Sequence, residues 1–369
     1  MKFSVSREAL LRPLQLVAGV VEKRQTLPAL ANVLVVLDNE QLSLTGTDLE
    51  VEIVGRVSLD DSKAVAGEIT VPAKKFLDIC RSLADGSIIE FVLQDQKVTV
   101  KSGRSRFTLS TLPASEFPAI EPGENDFGFQ CEQSEIRRLI DRTSFAMAQQ
   151  DVRYYLNGML WELREGEIRV VATDGHRLAM CTRPANIQLG DAIKQAILPR
   201  KGVIELARLL SEQEKTVEVI IGNNHIRAVT DSFIFTSKLV DGKFPDYQRV
   251  LPQNGDKIVL GDREELRQAF ARTSILSNEK YRGVRFVLTE GLVTITANNP
   301  EQEEAEEQVA VDYVGPPLEV GFNVSYLQDV ANVIDSEMLK ITLADSNSSA
   351  LVEEPENSDS VYVVMPMRL

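Results

Sequence analysis

Gln41-Leu42-Ser43-Leu44-Thr45-Gly46-Thr47-Asp48, Glu167-Ile168-Arg169-Val170-Val171-Ala172-Thr173-Asp174 and Leu292-Val293-Thr294-Ile295-Thr296-Ala297-Asn298-Asn299 are three copies of one pattern. Each alternates at period two, as a half-buried β-strand does. Leu42, Ile168 and Val293 lie 126 and 125 residues apart. A helical pattern follows each strand at matching distance. Pro72 opens the first, with Phe76, Ile79 and Leu83 on one face; Pro199 opens the second, with Val203, Leu206 and Leu210; Asn323 opens the third, with Leu327, Val330 and Ile334. Apolar residues spaced 4, 3 and 4 apart mark one face of an α-helix, and Pro or Asn suits its start.

An earlier helix begins each copy. Asp262 and Glu265 form a capping box for the third, with Ser134 and Ser6 as candidate caps for the other two. Pro13 falls inside the first of these helices and predicts a kink. Strand-rich endings close the copies at Phe107–Leu112, Phe233–Leu239 and Ser360–Met365. The chain therefore reads as three α+β domains, 1–125, 126–253 and 254–369, divided at the turn-rich stretches Pro122-Gly123-Glu124-Asn125 and Pro252-Gln253-Asn254-Gly255.

Net charge is −15 over 369 residues, which taken alone argues against a nucleic-acid ligand. Its distribution argues otherwise. Five of the six predicted helices (7–21, 73–83, 135–147, 200–211 and 263–277) carry +1 or +2, and the sixth (324–335), with Asp329 and Asp335, carries −2. Together they hold +5, leaving −20 on the strands and loops. A basic helical surface on an acidic body suits nonspecific contact with phosphates on that surface alone. No stretch of 18 apolar residues and no signal-peptide core occurs, so a cytoplasmic protein with no membrane partner is expected. Cys80, Cys131 and Cys181, odd in number and far apart, fit free thiols that are buried or half-buried.

The strings Thr173-Asp174-Gly175-His176-Arg177-Leu178, Gln150–Leu160 (QDVRYYLNGML), Asn298–Glu307 (NNPEQEEAEE) and Val364–Leu369 (VMPMRL) resemble the bacterial DNA polymerase III beta sliding clamps, and the resemblance runs from Met1 to Leu369. It implies a head-to-tail homodimer whose six pseudo-equivalent domains form a ring around duplex DNA, helices inside and sheets outside. Twelve helices at about 9–10 Å spacing make a circle roughly 34–38 Å across at their axes. Subtracting a helix diameter of about 10 Å leaves a hole of roughly 24–28 Å, room for a duplex and a water layer.

The resemblance implies three sets of site residues. An inner peptide pocket maps onto Leu156, Thr173, Gly175, His176, Arg177, Leu178, Pro245 and Val250, and an adjoining groove onto Arg153, Asn323, Tyr326, Ser349, Val363, Met365, Pro366, Met367 and Arg368. Its ligands in the family are short linear motifs of the replicative polymerase alpha subunit, the clamp loader, translesion polymerases, mismatch-repair proteins and ligase. DNA contacts map onto Arg24, Gln150, Tyr154 and Tyr155, joined by the helix cations Lys74, Lys75 and Arg200. Ring closure is also legible as charge: Lys97, Arg104 and Arg106 near the end of the first domain oppose Glu301, Glu303, Glu304, Glu306 and Glu307 in the third. By resemblance, Phe107, Ile275 and Leu276 form the apolar centre. Such a protein works in the cytoplasm, at the nucleoid during replication.

The rival is a hydrolase or metal-dependent nuclease built on Asp48, Asp174, His176 and the glutamates. His176 and His225 are the only histidines and lack metal-ligand spacing; Asp174 is matched by Asp48, as a scaffold turn residue would be; and no phosphate loop or hydrolase motif occurs. An adaptor that never meets DNA fits poorly with the basic helices. No catalytic residue, metal or cofactor is expected.

Overall fold

The computed structural model describes residues 1–21, 27–61, 63–118, 120, 125–211 and 215–368. The first repeat runs β1 (Lys2–Ser6), α1 (Arg7–Ala18), β2 (Asn32–Asp38), β3 (Gln41–Thr47), β4 (Val51–Ser58), β5 (Gly67–Pro72), α2 (Ala73–Ser82), β6 (Ile88–Gln94), β7 (Lys97–Ser102) and β8 (Ser105–Ser110). The second repeats that order: β9 (Asn125–Glu132), α3 (Gln133–Thr143), β10 (Gly158–Arg164), β11 (Glu167–Thr173), β12 (Arg177–Pro184), β13 (Lys194–Pro199), α4 (Arg200–Leu209), β14 (Thr216–Gly222), β15 (His225–Val229) and β16 (Phe233–Lys238). So does the third: β17 (Lys257–Asp262), α5 (Arg263–Ser274), β18 (Gly283–Thr289), β19 (Leu292–Asn298), β20 (Glu304–Asp312), β21 (Leu318–Asn323), α6 (Val324–Val333), β22 (Met338–Leu343), β23 (Ala350–Glu353) and β24 (Ser360–Val364).

Helix starts follow the side chains present. Ser6 accepts the Ala9 amide, Asp262 the Glu265 amide and Asn323 the Ser325 amide, each satisfying an otherwise unpaired first-turn donor. Ser134 is not a cap. Its helix begins one residue earlier, at Gln133, and the Ser134 hydroxyl donates instead to Glu132. A backbone device is common to all three repeats: the first helical amides of α1, α3 and α5 donate to the carbonyls of Ser87, Lys215 and Glu337 at 2.8–2.9 Å. Pro13 stands inside α1 without ending it, its buried ring packed over Gly55, where a Cβ would come within 2.7 Å of it. In α2 the buried face is Ala73, Phe76, Leu77 and Cys80, with Ile79 and Leu83 only half-buried. Burial pushes the Cys80 thiol up to about 12, so it packs as an apolar group.

Two compact units are present: Met1–Ser134 with Lys201–Leu239, and Glu135–Arg200 with Val240–Leu369. The first holds a four-stranded sheet, β1-β6-β7-β8, and an eight-stranded one, β5-β2-β3-β4-β16-β15-β14-β9. The second holds twelve strands, β13-β10-β11-β12-β24-β23-β22-β17-β20-β19-β18-β21. The second repeat contributes to both units because sheets run across repeats, through β4 paired with β16 and β12 paired with β24.

One rung of the antiparallel ladder shows the equivalence. It reads Phe129–Val219–Ala228–Phe235 in the second repeat and continues to Ile53 and Gly46 of the first. In the third it reads Val259–Ile341–Val352–Tyr362 and continues to Ala179 and Ala172 of the second. In the first it reads Phe3–Phe91–Val100–Phe107 and stops. Phe235 and Tyr362 are fully buried, whereas Phe107 is half-exposed. Among the described residues β8 pairs only with β7. At the other end, β20 pairs with β19 along its length but with β17 over two residues only. Among the described residues no helix is long and apolar enough to cross a membrane.

Candidate functional site

The turn between β11 and β12 is a reused part. Thr173 Oγ1 donates to the Arg177 carbonyl at 2.6 Å and accepts the Gly175 amide at 3.1 Å, while Asp174 Oδ1 accepts the amides of His176 and Arg177 at 2.9 and 3.1 Å. Thr47 and Asp48 make the same four bonds in the first repeat. Asp48 and Asp174 are thus turn formers, as a scaffold residue should be. What differs is the content. Gly175 takes φ +89° where the first repeat forces Leu49 to +78°, and the Arg153 guanidinium lies over it, 3.0 Å from where a Cβ would stand.

Arg177 is the most heavily held side chain nearby. It donates to Asp174 at 3.2 Å, to the Phe145 carbonyl at 2.8 Å and to Asp329. Its guanidinium carbon lies 4.5 Å from the Tyr326 ring centroid and 5.2 Å from that of Phe145, both cation–π distances. The acidic departure of α6 has its cause here: Asp329 answers Arg177, and Asp335 answers Arg142.

Beside this turn, Leu178, Val363, Leu160, Val171, Ile197, Phe244 and Tyr247 form a buried apolar cluster, with Val250, Tyr155, Met180, Val240, Leu251 and Leu351 packed half-buried against it. Pro245, between Phe244 and Tyr247 in the chain, is exposed, and Leu156, next to Tyr155, is buried. The chain leaves β24 as an extended tail that lies along the site: Met365 donates to the His176 carbonyl at 3.0 Å and Met367 to that of Gly321 at 2.9 Å. Asn323, Tyr326, Ser349, Met365, Pro366 and Met367 are half-buried, His176 and Arg368 exposed. The expected pocket residues therefore gather within one compact unit. Phe145, Asp329, Phe244 and Tyr247 belong to the same site and were not expected; only the odd charge of α6 pointed to one of them.

The loop after α3 is latched on itself. Asp151 accepts the Arg153 amide and guanidinium at 2.8–3.0 Å, and exchanges two bonds of 2.9 Å with Asn157. It presents Val152, Arg153 and Tyr154 to solvent, with Tyr154 edge-on to half-buried Tyr155 at 5.8 Å. Gln150, also exposed, sits at φ +56°. The Arg153 side chain and amide hold the Asp151 carboxyl down to about 2. Its charge is therefore expected to survive until the pH falls through about 2, with the latch contributing above the ordinary carboxylate range. A carbon-13 titration of that carboxyl checks this; a midpoint near 4 would mean the latch is open.

Of the remaining expected residues, Lys74 and Lys75 are exposed on α2, and half-buried Arg200 reaches the Met147 carbonyl at 3.4 Å. Arg24 lies outside the described residues. Lys97, Arg104 and Arg106 are exposed on or beside β7 and β8, and Glu301, Glu303, Glu304 and Glu306 on or before β20. Glu307 is engaged: Arg272 grips it at 2.6 and 2.8 Å. Ile275 is 74% exposed at the end of α5, with Leu276 half-buried beside it.

Family models of the DNA polymerase III beta subunit match the chain in order: the N-terminal domain at residues 1–121, the central domain at 130–246 and the C-terminal domain at 248–368. The beta sliding clamp of Pseudomonas aeruginosa is 65% identical over 369 residues, covering all of both chains, and that of Escherichia coli K12 is 53% identical with the same coverage. A crystal structure of the Pseudomonas aeruginosa DNA polymerase sliding clamp superposes with TM-score 0.98 at 64% identity over the whole of both chains. Another from that organism, bound to griselimycin, gives 0.97 at 64% identity and the same coverage.

Proposed function

This chain belongs to the family of DNA polymerase III beta subunits, and on that premise we propose that two copies close head to tail into a ring around duplex DNA, with a peptide groove in each chain. Its function is that of a sliding clamp, the processivity factor of a DNA polymerase. The ring needs a third junction like the two inside the chain. Its supporting observation is the rung that stops at Phe107: among the described residues, the aromatic equivalent to buried Phe235 and Tyr362 has β7 on one side and no strand on the other. Continuing the register sets Phe107 opposite Ala305 of the partner subunit, since Ile53, Ala179 and Ala305 pair equivalently with Gly46, Ala172 and Ala297. The same register brings Arg106 to Glu306 of the partner subunit, an opposite-charge pair that fixes orientation.

Lys74 moves in this reading. It stands in α2 where Lys201 stands in α4, and Lys201 pairs with Asp48 on the β3–β4 turn. The third junction then places Lys74 against the turn that carries Glu301 of the partner subunit. Lys75, Arg200, Gln150, Tyr154 and Tyr155 stay with DNA, whose phosphates and exposed bases such side chains suit.

The groove around Arg177, Leu178 and Val363 takes short linear segments from the polymerase alpha subunit, the clamp loader, translesion polymerases, mismatch-repair proteins and ligase; griselimycin would occupy it too. Half-buried methionines give one surface the adaptability that many ligands require. No step of catalysis is assigned to the chain, its place is the cytoplasm, and its domains divide at 125/126, in the gap between the first two family-model spans, and at 253/254, a few residues into the third, which begins at 248.

Retention on nicked circular DNA, loaded with a clamp loader and ATP, tests the ring. Survival of the complex in high salt on the circle, and its loss after one restriction cut, is the expected outcome; equal loss from circle and linear DNA would mean an electrostatic grip. Arg177→Ala is expected to weaken griselimycin binding at least tenfold, about 1.4 kcal/mol or more, with the two-chain mass retained in sedimentation. Loss of the dimer would place Arg177 at the wrong surface.

A further inference from the structure

In the second repeat alone, a ladder rung beside the groove carries charge. Glu162 of β10 faces Arg169 of β11. The same rung sets Val36 opposite Ser43 in the first repeat and Val287 opposite Thr294 in the third. The equivalence follows from the neighbouring rung, which reads Leu163–Ile168, Leu37–Leu42 and Leu288–Val293. Glu162 is 2% exposed, and a carboxylate buried at that cost must be matched by donors. Three supply them: the Tyr247 hydroxyl at 2.8 Å, Arg164 Nε at 2.8 Å and Gln195 Nε2 at 2.6 Å. Burial alone would raise the carboxyl, but these donors outweigh it and hold the group below its ordinary range. Arg169 in turn donates to the Tyr247 oxygen at 3.2 Å, to Thr182 at 3.0 Å and to Glu167 at 3.3 Å.

Tyr247 is the element these bonds restrain. Its proton goes to Glu162 and its oxygen accepts from Arg169, so the hydroxyl has one orientation. Its ring lies in the apolar cluster with Leu178 and Val363, and the whole residue is 4% exposed. Two residues before it Pro245 is exposed, and three residues after it Val250 is half-buried against the cluster. One buried side chain thus pins the segment that forms a wall of the groove.

We infer that Glu162 and Arg169 are positioning residues of the peptide groove, acting through the Tyr247 hydroxyl to hold Phe244–Val250 in its ligand-ready arrangement. The inference rests on the groove reading above. Tyr247 is covered by protein and does not itself meet the ligand. Releasing its hydroxyl lets the wall sample other arrangements, and apparent affinity then falls with the competent fraction. A charged rung in one copy of a triplicated frame, where the other two have valine and a hydroxyl, marks a device added for a task the other copies lack.

Tyr247→Phe in the full-length dimer tests this, with griselimycin as the probe. The expected result is binding weaker by about tenfold, carried by the association rate, with the urea midpoint unchanged. Stability is spared because Glu162 keeps Arg164 and Gln195, and Arg169 keeps Thr182 and Glu167. The triple variant E162V/R169T/Y247F installs the valine–threonine pair found in the third repeat and removes the Tyr247 hydroxyl together with both of its partners. It is expected to lose the same tenfold and no more. Full affinity in Tyr247→Phe overturns the inference, as does a loss that appears in the dissociation rate. Arg177→Ala run in parallel separates the two readings: if it also binds griselimycin at full strength, the fault lies with the groove assignment.

Discussion

Phe107→Asp is expected to convert a two-chain particle into single chains of 41.0 kDa at concentrations where the parent remains paired. The half-exposed ring contributes little to the isolated chain, so the variant folds. In the closed ring the substitution removes an aromatic anchor and sets an unpaired carboxylate opposite Ala305 of the partner subunit, on the inner face of the sheet. Truncating such an anchor costs about 2–4 kcal/mol, and covering a carboxylate that has no partner adds roughly 1 kcal/mol or more. The dissociation constant should therefore rise on the order of a thousandfold. Ile275→Ala with Leu276→Ala acts on the same junction from the helix side and should also favour monomers. Sedimentation velocity decides; an unchanged two-chain mass with Phe107→Asp would move the interface away from β8.

Arg142→Ala carries the second large effect, through a buried ion pair. Arg142 on α3 is 4% exposed, pairs with Asp335, and holds Glu354, itself 8% exposed, at 3.2 Å. Glu354 also fastens the Asp335 amide and Asn357, both at 3.2 Å, so it draws the end of α6 and the loop before β24 to the second repeat. Removing the cation leaves a carboxylate buried without its match, which costs about 3–5 kcal/mol. The urea midpoint should fall accordingly. Replacing both partners, Arg142→Met with Glu354→Leu, should recover much of the loss, because two well-packed apolar groups need no desolvation. If the single variant unfolds at the parent's midpoint, the pair contributes nothing to the seam.

The sheets and helices were legible in the chain because their signals are local and repeat. Period-two alternation located β3, β11 and β19, and the 4-3-4 spacing located the later helices, down to the buried faces of α4 and α6. Ser134 misled because serine is a good cap, and nothing local shows that the helix has already begun at Gln133, whose amide is answered by the distant Lys215 carbonyl. The strands that join β4 to β16 and β12 to β24 leave no local mark; their partners are more than 175 residues apart. The same distance hid the groove's supports. Phe145, Asp329 and Tyr247 meet Arg177, Leu178 and Glu162 only in three dimensions, and Glu162 looks ordinary until the register sets it beside Val36 and Val287. Charge signs alone also could not show that Glu307 is held by Arg272 within the chain.

The rung that ends at Phe107 has a kinetic meaning. Junctions one and two form within a chain and are closed whenever the chain is folded. The third forms between chains, twice per ring, and the two closures are not equal. The first is bimolecular and answers to concentration; the second joins ends already tethered, at an effective concentration of roughly millimolar or more. A ring that opens at one such seam is therefore still a dimer, and its loose ends meet again far faster than two subunits would by diffusion. Each seam can be weak enough for a loader to part, while simultaneous parting of both is rare, so a clamp on DNA can be openable on demand and still long-lived.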